Sequence, residues 1–525
     1  MNILLSDWLP VYLRDGRRTK IAPYEVTKNL RSNPAISLAF NRPDLDATVV
    51  EMLIGMLQTF YCPDERVKGM DWNYIYNNPP DSDKLRAAFE PFAPYFNLLG
   101  DGIRFMQERS TSDNAEAVDA GALLIDFDAG QSHFAKRHVK SLCLSCMTAV
   151  LYTLQVRANS GGRGHRQNLR TANAFTTLVK GETLWETCWL NVMGKSTLEK
   201  YGNGQKNMPD DIFPWALTST EGIELKSDDV SLLHCYWQMP RRVFLKSTNK
   251  GNCMLCHGED ICVTKVVSSP RGVHYYGIDS KGRKQTGENW FHPLSPLTIK
   301  EEKPFYELFH HNEYGARYKH WLALTRTKPA PCVIAAKQRN KAEKLWAFGY
   351  VCSSKMALFW DDGEFSIISL PTGDKLAEKD AEHVVHQLMD IATKAAEHLQ
   401  KYAGRAIGLI SKGEKGRKVN WPKIDKEPIS TRFWQASEQD FYSHVKGLQD
   451  IVSGLRSSDE VLLSWSNRVR NHAINIFDSI IDFDAFSSET MSIVAEHRAD
   501  LMKKLNSLYR TRKEDKSGEI KVQEW

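Results

Sequence analysis

The stretch S-L-C-L-S-C-M-T-A-V-L-Y-T-L-Q-V-R-A-N-S-G-G-R-G-H-R-Q-N-L-R, residues 141–170, is the most informative part of the chain. It begins with a C-x-x-C pair, Cys143 and Cys146, followed by a short apolar helix. A second pair, Cys253 and Cys256, follows about a hundred residues later. Two such pairs are the usual source of four thiolates for a structural zinc ion. We therefore expect zinc on these cysteines, with a vestigial site or reduced cysteines packed together as the alternatives.

The helix is followed by the glycine-rich loop 160–164, S-G-G-R-G. The loop lacks the lysine and Ser/Thr of a nucleotide-binding P-loop, and it is not a complete dinucleotide fingerprint. Gly161, Gly162 and Gly164 would let main-chain N–H groups approach a phosphate or a groove. Nearby arginines would neutralise phosphate charge: Arg157, Arg163, Arg166 and Arg170. A flexible surface turn explains the composition equally well.

Length and composition limit the class of protein. A chain of 525 residues is too long for one ordinary core, so two or more domains are expected. The net charge of +5 permits basic patches that bind nucleic acid but does not require them. Ten cysteines in so long a chain do not suggest a disulfide scaffold. Without a signal peptide or an apolar run of membrane-spanning length, we expect a cytoplasmic protein that does not associate with membranes.

The patterning predicts an α+β fold in two domains. Residues 1–372 read as a large irregular mixed domain containing the zinc site. In it we expect a hairpin at Asp15-Gly16, an amphipathic helix from Asp44 with an aspartate as its cap, and a β ribbon over 261–291. The segment 347–360 reads as two apolar strands around a polar tip.

After residue 373 the chain becomes helical. Apolar residues recur with helical periodicity over four segments: 375–403, 431–453, 458–483 and 487–511. Four helices with mostly short joints predict a C-terminal four-helix bundle over 373–511. We expect the charged residues 512–525 to form a mobile tail.

The sequence offers no credible active site. Glu382-His383-x-x-His386 is not the H-E-x-x-H zinc motif, and it lies on a predicted amphipathic helix where surface His and Glu are ordinary. No G-x-S-x-G nucleophile motif occurs. This favours a binding subunit over an enzyme.

Several features together resemble one family. They are the start M-N-x-L-x-x-x-W-L-P-V, the segment R-P-D-L-D-A-T-V-V-E-M-L from Arg42, the two cysteine pairs with the glycine loop, the W-F-H-P-L-S-P run and the helical last third. In this order they resemble the large subunit (CasA) of the type I-E CRISPR surveillance complex, Cascade. The resemblance covers about residues 1–510.

The resemblance implies a non-enzymatic subunit that binds guide RNA, target double-stranded DNA and the backbone and small subunits of Cascade. It would recognise the protospacer-adjacent motif (PAM) mainly through the minor groove, help to separate the strands and form the R-loop, and provide a docking surface for a helicase-nuclease. Two alternatives are a zinc-dependent nucleic-acid enzyme and a stand-alone interaction module that binds nucleic acid or protein.

The resemblance also implies roles for individual residues. The family's glycine loop falls on 160–164, where Arg163 stands in place of a frequent glycine. Its strand-separating wedge follows Gly349-Tyr350, which places the tip at Ser353, Ser354 and Lys355. A basic DNA contact falls on either Lys265 or Arg271. The loop 127–138 would reach the RNA 5′ handle and a backbone subunit through three residues: Phe127, Lys136 and Arg137.

Overall fold

The structure, a computed structural model, describes residues 1–109, 116–125, 139–160, 164–202, 206–279, 281–300, 305–308, 317–353, 356–368, 375–410, 427–453, 455–480 and 488–509. The chain forms two compact units. The first comprises Met1–Gly315 and Ala323–Phe365, and the second comprises Ala316–Leu322 and Ser366–Trp525. Within the described ranges, no helix is long and apolar enough to cross a membrane.

The first unit mixes helices and strands, as the sequence predicts. Its helices are α1 (Pro43–Phe60), α2 (Trp72–Asn77), α3 (Ser82–Phe89), α4 (Leu144–Arg157), α5 (Leu184–Leu190), α6 (Lys195–Leu198), α7 (Pro209–Ile212) and α8 (Pro331–Gln338). Its strands are β1 (Leu9–Leu13), β2 (Arg18–Ile21), β3 (Ala35–Leu38), β4 (Val118–Asp119), β5 (Leu142–Cys143), β6 (Thr176–Lys180), β7 (Glu224–Leu225), β8 (Arg242–Asn252), β9 (Glu259–Ser269), β10 (His274–Ile278), β11 (Lys284–Thr286), β12 (Leu297–Lys300), β13 (Phe305–Leu308), β14 (Lys344–Ser353) and β15 (Met356–Ser366).

The strands form several small sheets. Their orders are β2-β1-β3, β11-β10-β7, β12-β13, β15-β14-β6 and β4-β9-β5, with β8 also paired to β9. The hairpin predicted at Asp15-Gly16 joins β1 and β2 and is confirmed. Strands are present in the predicted β ribbon 261–291, as β9, β10 and β11, but they do not form one continuous ribbon: β9 pairs with β8, whereas β10 pairs with β11 and β7.

Helix α1 passes through the core of the first unit. Its run V-V-E-M-L-I-G-M-L is buried on nearly every side, so the helix is less amphipathic than we expected. It begins at Pro43, a residue whose fixed φ suits the first helical position. The predicted aspartate cap is wrong, because the residue before the helix is Arg42. Asp44 instead lies in the first turn and pairs with Arg42.

The aromatic residues of the first unit are mostly core residues. Phe60 at the end of α1 packs edge-on against Phe96, with ring centroids 5.5 Å apart. Trp72 and Trp189 stack at 6.3 Å, and both are almost fully buried. Burial of rings this large contributes several kcal/mol to the core.

The second unit contains the predicted C-terminal helical region. Its helices are α9 (Lys375–Ile410), α10 (Glu427–Lys446), α11 (Leu448–Val452), α12 (Ser458–Ile480) and α13 (Ser488–Leu505). The apolar stripe of α9 is buried, and the indole N–H of Trp465 on α12 donates to the Leu388 carbonyl at 2.7 Å. His383 and His386 lie on the exposed face of α9, as ordinary surface histidines do.

Candidate metal centre and nucleic-acid interface

The first cysteine pair is shaped by the start of α4. Cys143 is the last residue of β5 and the residue before the helix, and its Sγ accepts from the Cys146 N–H at 3.5 Å. A C-x-x-C pair at a helix start places both thiols on one side of the backbone. Cys143 of β5 lies opposite Cys262 in the antiparallel pairing with β9. This register attaches the first cysteine pair to the β4-β9-β5 sheet.

The second pair lies in the turn that joins β8 to β9. The Cys253 N–H donates to the Gly258 carbonyl and the His257 N–H donates to the Cys253 carbonyl, both at 2.9 Å. The turn is attached to the first pair, because the Met254 N–H donates to the Ser141 carbonyl at 2.9 Å. Backbone hydrogen bonds therefore align the two pairs independently of any metal.

The four cysteines form one compact group. Their Sγ atoms all lie within 4.8 Å of one another, and Cys143 Sγ and Cys256 Sγ are 3.7 Å apart. A tetrahedral zinc with bonds of about 2.3 Å requires sulfur atoms about 3.8 Å apart. Within the described residues, no other group of three or more His, Cys, Asp and Glu side chains is arranged to hold a metal ion. The donor set can hold a metal ion and is compatible with zinc.

The glycine loop is anchored at both ends on one buried carboxylate. Arg157, the last residue of α4, donates to Glu51 Oε2 at 2.5 Å. Arg170, beyond the loop, donates to Glu51 Oε1 at 2.7 Å. All three side chains are at least 95% buried. The expectation that these two arginines neutralise phosphate is therefore wrong, since they are core residues paired with Glu51 of α1.

The charge balance around Glu51 favours its ionised form. Burial alone would raise the pKa of Glu51, but the charges of Arg157 and Arg170 outweigh burial and hold its pKa well below the usual range. Burial lowers the pKa of His292, whose Nε2 is 3.4 Å from Glu51, to about 4. His292 is therefore neutral at pH 7, so the guanidinium groups of Arg157 and Arg170 share the single carboxylate of Glu51.

On the far side of the loop, Gly164 contacts the turn between β9 and β10. The Arg271 N–H donates to the Gly164 carbonyl at 2.9 Å. Gly164 has φ +83°, a conformation that favours glycine, and Pro270 lies against it. The Arg271 side chain is exposed. Arg271 is thus held beside the glycine loop with its guanidinium facing solvent.

The alternative basic residue, Lys265, lies elsewhere on β9. Its register partner is Asp119 of β4, and Lys265 Nζ is 2.8 Å from the Asp119 carboxylate. The main chain of Arg271 is hydrogen-bonded to Gly164 of the loop, whereas Lys265 lies opposite Asp119 of β4. Arg166 is half-buried just beyond Gly164.

The predicted wedge belongs to the hairpin of β14 and β15. Strand β14 also pairs with β6, so that the three strands form one sheet in the order β15-β14-β6. Tyr350 on β14 donates its hydroxyl proton to Asp44 Oδ2 at 2.5 Å, and both side chains are buried. This contact attaches the hairpin to the first turn of α1. Ser353 is the last residue of β14.

Some predicted positions lie outside the described residues. They are Phe127, Lys136, Arg137, Gly161, Gly162, Arg163, Ser354, Lys355 and the tail 512–525. Their roles stay predictions.

Sequence reasoning missed Glu51 and Asp44, the two acidic residues that hold the loop and the hairpin to α1. A charged residue within the apolar run V-V-E-M-L was the available signal for Glu51, because an unpaired carboxylate is rarely buried. Asp44 was noticed only as a possible helix cap. Its partner Tyr350 is 306 residues away, so no local pattern could have assigned its contact.

Comparison with known proteins gives a consistent result. The family model for CRISPR-associated protein Cse1 matches residues 2–476. Similar solved structures include CasA (Cse1) of Thermus thermophilus, with a TM-score of 0.65 and 15% identity over 97% of this chain and 100% of that one. Cse1 of Acidimicrobium ferrooxidans gives a TM-score of 0.64 and 14% identity, covering 97% and 99%. A chain from a CRISPR RNA-guided surveillance complex gives 0.62 and 13%, covering 95% and 99%.

At these identities the structural likeness establishes the fold, and the family model, which spans most of the sequence, establishes the family. The resemblance noticed in the sequence is confirmed. The chain belongs to the CRISPR-associated protein Cse1 family.

Proposed function

We propose that this chain is the large subunit of a type I-E Cascade complex, and that it recognises the PAM in double-stranded DNA mainly through the minor groove. In this role it is not an enzyme. It aids strand separation and R-loop formation and provides a docking surface for a helicase-nuclease. One of the similar structures belongs to a CRISPR RNA-guided surveillance complex, which supports membership of such an assembly.

The observation that carries this proposal is the common attachment of two elements to α1. Glu51 holds the ends of the glycine loop, and Asp44 holds the β14–β15 hairpin through Tyr350. A protein that recognises DNA through the minor groove must bring its main chain close to the groove. A strand-separating wedge must be supported rigidly at a fixed distance from that contact. The loop residues Gly161, Gly162 and Gly164 would face the groove.

Arg271 is the basic residue that best fits a contact beside the loop. Its main chain is bound to Gly164 and its side chain is exposed, whereas Lys265 is paired with Asp119. Because the minor-groove pattern is degenerate, contacts of this kind would tolerate several related motifs. Pairing of the guide RNA with the target strand then supplies most of the sequence specificity.

The tip residues Ser353, Ser354 and Lys355 would enter below the motif and separate the first base pair. A serine-serine tip is small, so strand opening would depend on the Lys355 side chain. Arg163 and Arg166 would add contacts to the DNA backbone or the groove. These assignments rest on position within the family pattern.

The remaining parts would contact the other partners. Phe127, Lys136 and Arg137 would meet the guide RNA and a backbone subunit. We propose that the C-terminal helices form a four-helix bundle over 373–511 that contacts the small subunits and the displaced DNA strand. Aromatic contacts such as the stacking of Tyr318 on Phe441, with ring centroids 4.5 Å apart, would hold that unit together.

Zinc on Cys143, Cys146, Cys253 and Cys256 would be structural. Four thiolates fill the tetrahedral positions of the ion, and a hydrolytic zinc needs one position left for water. The metal would lock the turn before β9 to the start of α4, and so fix both the glycine loop and the strand that leads to Arg271. This donor set does not favour the alternative of a zinc-dependent nucleic-acid enzyme.

A selection with randomised duplexes tests the proposal. The guide-RNA complex is assembled with and without this chain and allowed to bind duplexes that carry a common target and a randomised flank. We expect a short motif to be enriched only when the chain is present. Binding without any enrichment in the presence of the chain would contradict PAM recognition, and chelator-sensitive cleavage by the isolated chain would support the enzyme instead.

A further inference from the structure

Cys352 is the second-last residue of β14. It is held by Asn173, which follows the glycine loop in the sequence. The Cys352 N–H donates to Asn173 Oδ1 at 2.7 Å, and Asn173 Nδ2 donates to the Cys352 carbonyl at 3.2 Å. The side-chain amide thus satisfies both main-chain groups of Cys352, as a neighbouring strand would. Asn173 has φ +62°, which Asn adopts more readily than most residues.

Asn159 contacts the same cysteine from the other end of the loop. Its Nδ2 donates to Cys352 Sγ at 2.8 Å, and Asn159 is buried. We call Asn159, Asn173 and Cys352 the clasp. The two asparagines flank the glycine loop in sequence, and Cys352 directly precedes Ser353 at the hairpin tip.

The backbone beside the clasp is closely packed. The regular ladder between β6 and β14 ends at Thr176 and Phe348, and the clasp continues the attachment beyond it. Gly349 lies so close to the Ala174 carbonyl that an added Cβ would be 2.9 Å from its oxygen. Residues of both elements, among them Asn159 and Tyr350, line one narrow polar cavity. Through Cys352, strand β14 is therefore attached to residues on both sides of the glycine loop.

We infer that the clasp positions the hairpin tip relative to the glycine loop, so that binding of the motif by the loop places the tip at the first base pair. Asn159 and Asn173 are positioning residues and need not touch DNA. The inference rests on the proposed function. In catalysis, misplacement by about 1 Å can cost a factor of about a hundred in rate. We expect strand opening by a wedge to be sensitive to its position in the same way, so that modest loosening of the clasp reduces the rate.

The experiment uses the assembled guide-RNA complex and duplexes with 2-aminopurine in the first base pair beside the motif. Fluorescence reports opening of that pair, and titration gives the Kd for the duplex. Opening is compared between the preferred motif and a scrambled one. Asn173→Gly removes the amide while tolerating the positive φ, and Asn159→Ala removes the second contact. The matched control is Asn340→Gly, an exposed asparagine with φ +54° outside the clasp.

With normal melting and zinc content, we expect Asn173→Gly and Asn159→Ala to slow motif-dependent opening by roughly tenfold while the duplex Kd changes little. Asn173→Asp keeps the acceptor for the Cys352 N–H and should recover part of the rate. Unchanged opening in both variants would overturn the inference, as would equal loss of opening and binding. Wild-type opening that ignores the motif would instead remove the proposed function, and the inference with it.

Discussion

Glu51 Oε1 lies 2.7 Å from Arg170 Nη2, with 0% of the glutamate side chain and 1% of the arginine side chain exposed. The other carboxylate oxygen binds Arg157 at 2.5 Å. One acid on α1 therefore holds the segments before and after the glycine loop. Since two cations depend on it, its loss leaves buried guanidinium groups without a counter-charge.

We predict that Glu51→Gln strongly destabilises the first unit. Removal of one partner from a buried ion pair typically costs about 3–5 kcal/mol, because the remaining charge stays buried. Urea unfolding of the purified chain measures the free energy. Glu199→Gln is the matched control: it removes a surface partner of Arg66, a change expected to cost less than about 1 kcal/mol. Equal stability of Glu51→Gln and wild type would contradict the buried pair.

We predict about one zinc ion per chain, bound by the four cysteines. Cys253→Ser should reduce the zinc content to near zero and lower the melting temperature, because three thiolates no longer complete the site. Elemental analysis by mass spectrometry measures the metal. Cys188→Ala changes a buried cysteine outside the group and should retain the ion. Retention of zinc by Cys253→Ser would show that the cysteines do not form the site.

Arg271 and Lys265 should differ in the salt dependence of DNA binding. Each phosphate contact removed lowers the slope of log K against log salt by about one. We expect this reduction for Arg271→Ala, because that side chain lies beside the loop. Lys265→Ala should leave the slope unchanged, since its ammonium is paired with Asp119. The opposite pattern would make Lys265 the DNA contact.

We predict that the buried His234 makes the free energy of unfolding decrease at mildly acidic pH. Its Nδ1 lies 3.3 Å from the Asp211 carbonyl and its Nε2 lies 3.2 Å from the Tyr275 hydroxyl, so the neutral ring can satisfy both partners. Burial lowers the pKa of His234 from 6.5 to about 4. As pH falls from 6.5 to 4.5, the unfolded chain binds a proton that the folded chain does not, and stability decreases.

For one such histidine the loss approaches about 1.4 kcal/mol per pH unit. Unfolding free energies of wild type and His234→Gln, measured between pH 7.5 and 4.5, should therefore converge as the pH falls. His386→Gln, at an exposed position on α9, serves as the control and should parallel wild type. A constant difference between wild type and His234→Gln would show that His234 does not resist protonation.

The sequence revealed those features that depend on short-range pattern. The C-x-x-C spacing identified all four members of the cysteine group, and helical periodicity identified the C-terminal helices. Pairings between distant residues gave no such signal. Arg157 and Arg163 look alike in the sequence, and only the position of Glu51, 106 residues from Arg157, separates a core arginine from a candidate DNA contact. The same holds for Asn173 and Cys352, which are 179 residues apart.

The bond between Tyr350 and Asp44 has a consequence for how the protein is made. Tyr350 follows Asp44 by 306 residues. Because the ribosome adds about 5–20 residues per second, Asp44 is synthesised about 15–60 s before Tyr350. Until then Asp44 has Arg42 beside it but lacks the Tyr350 hydroxyl. A nascent or prematurely ended chain can therefore not complete this core. Every copy in which this bond forms therefore already carries both cysteine pairs, the glycine loop and most of β14.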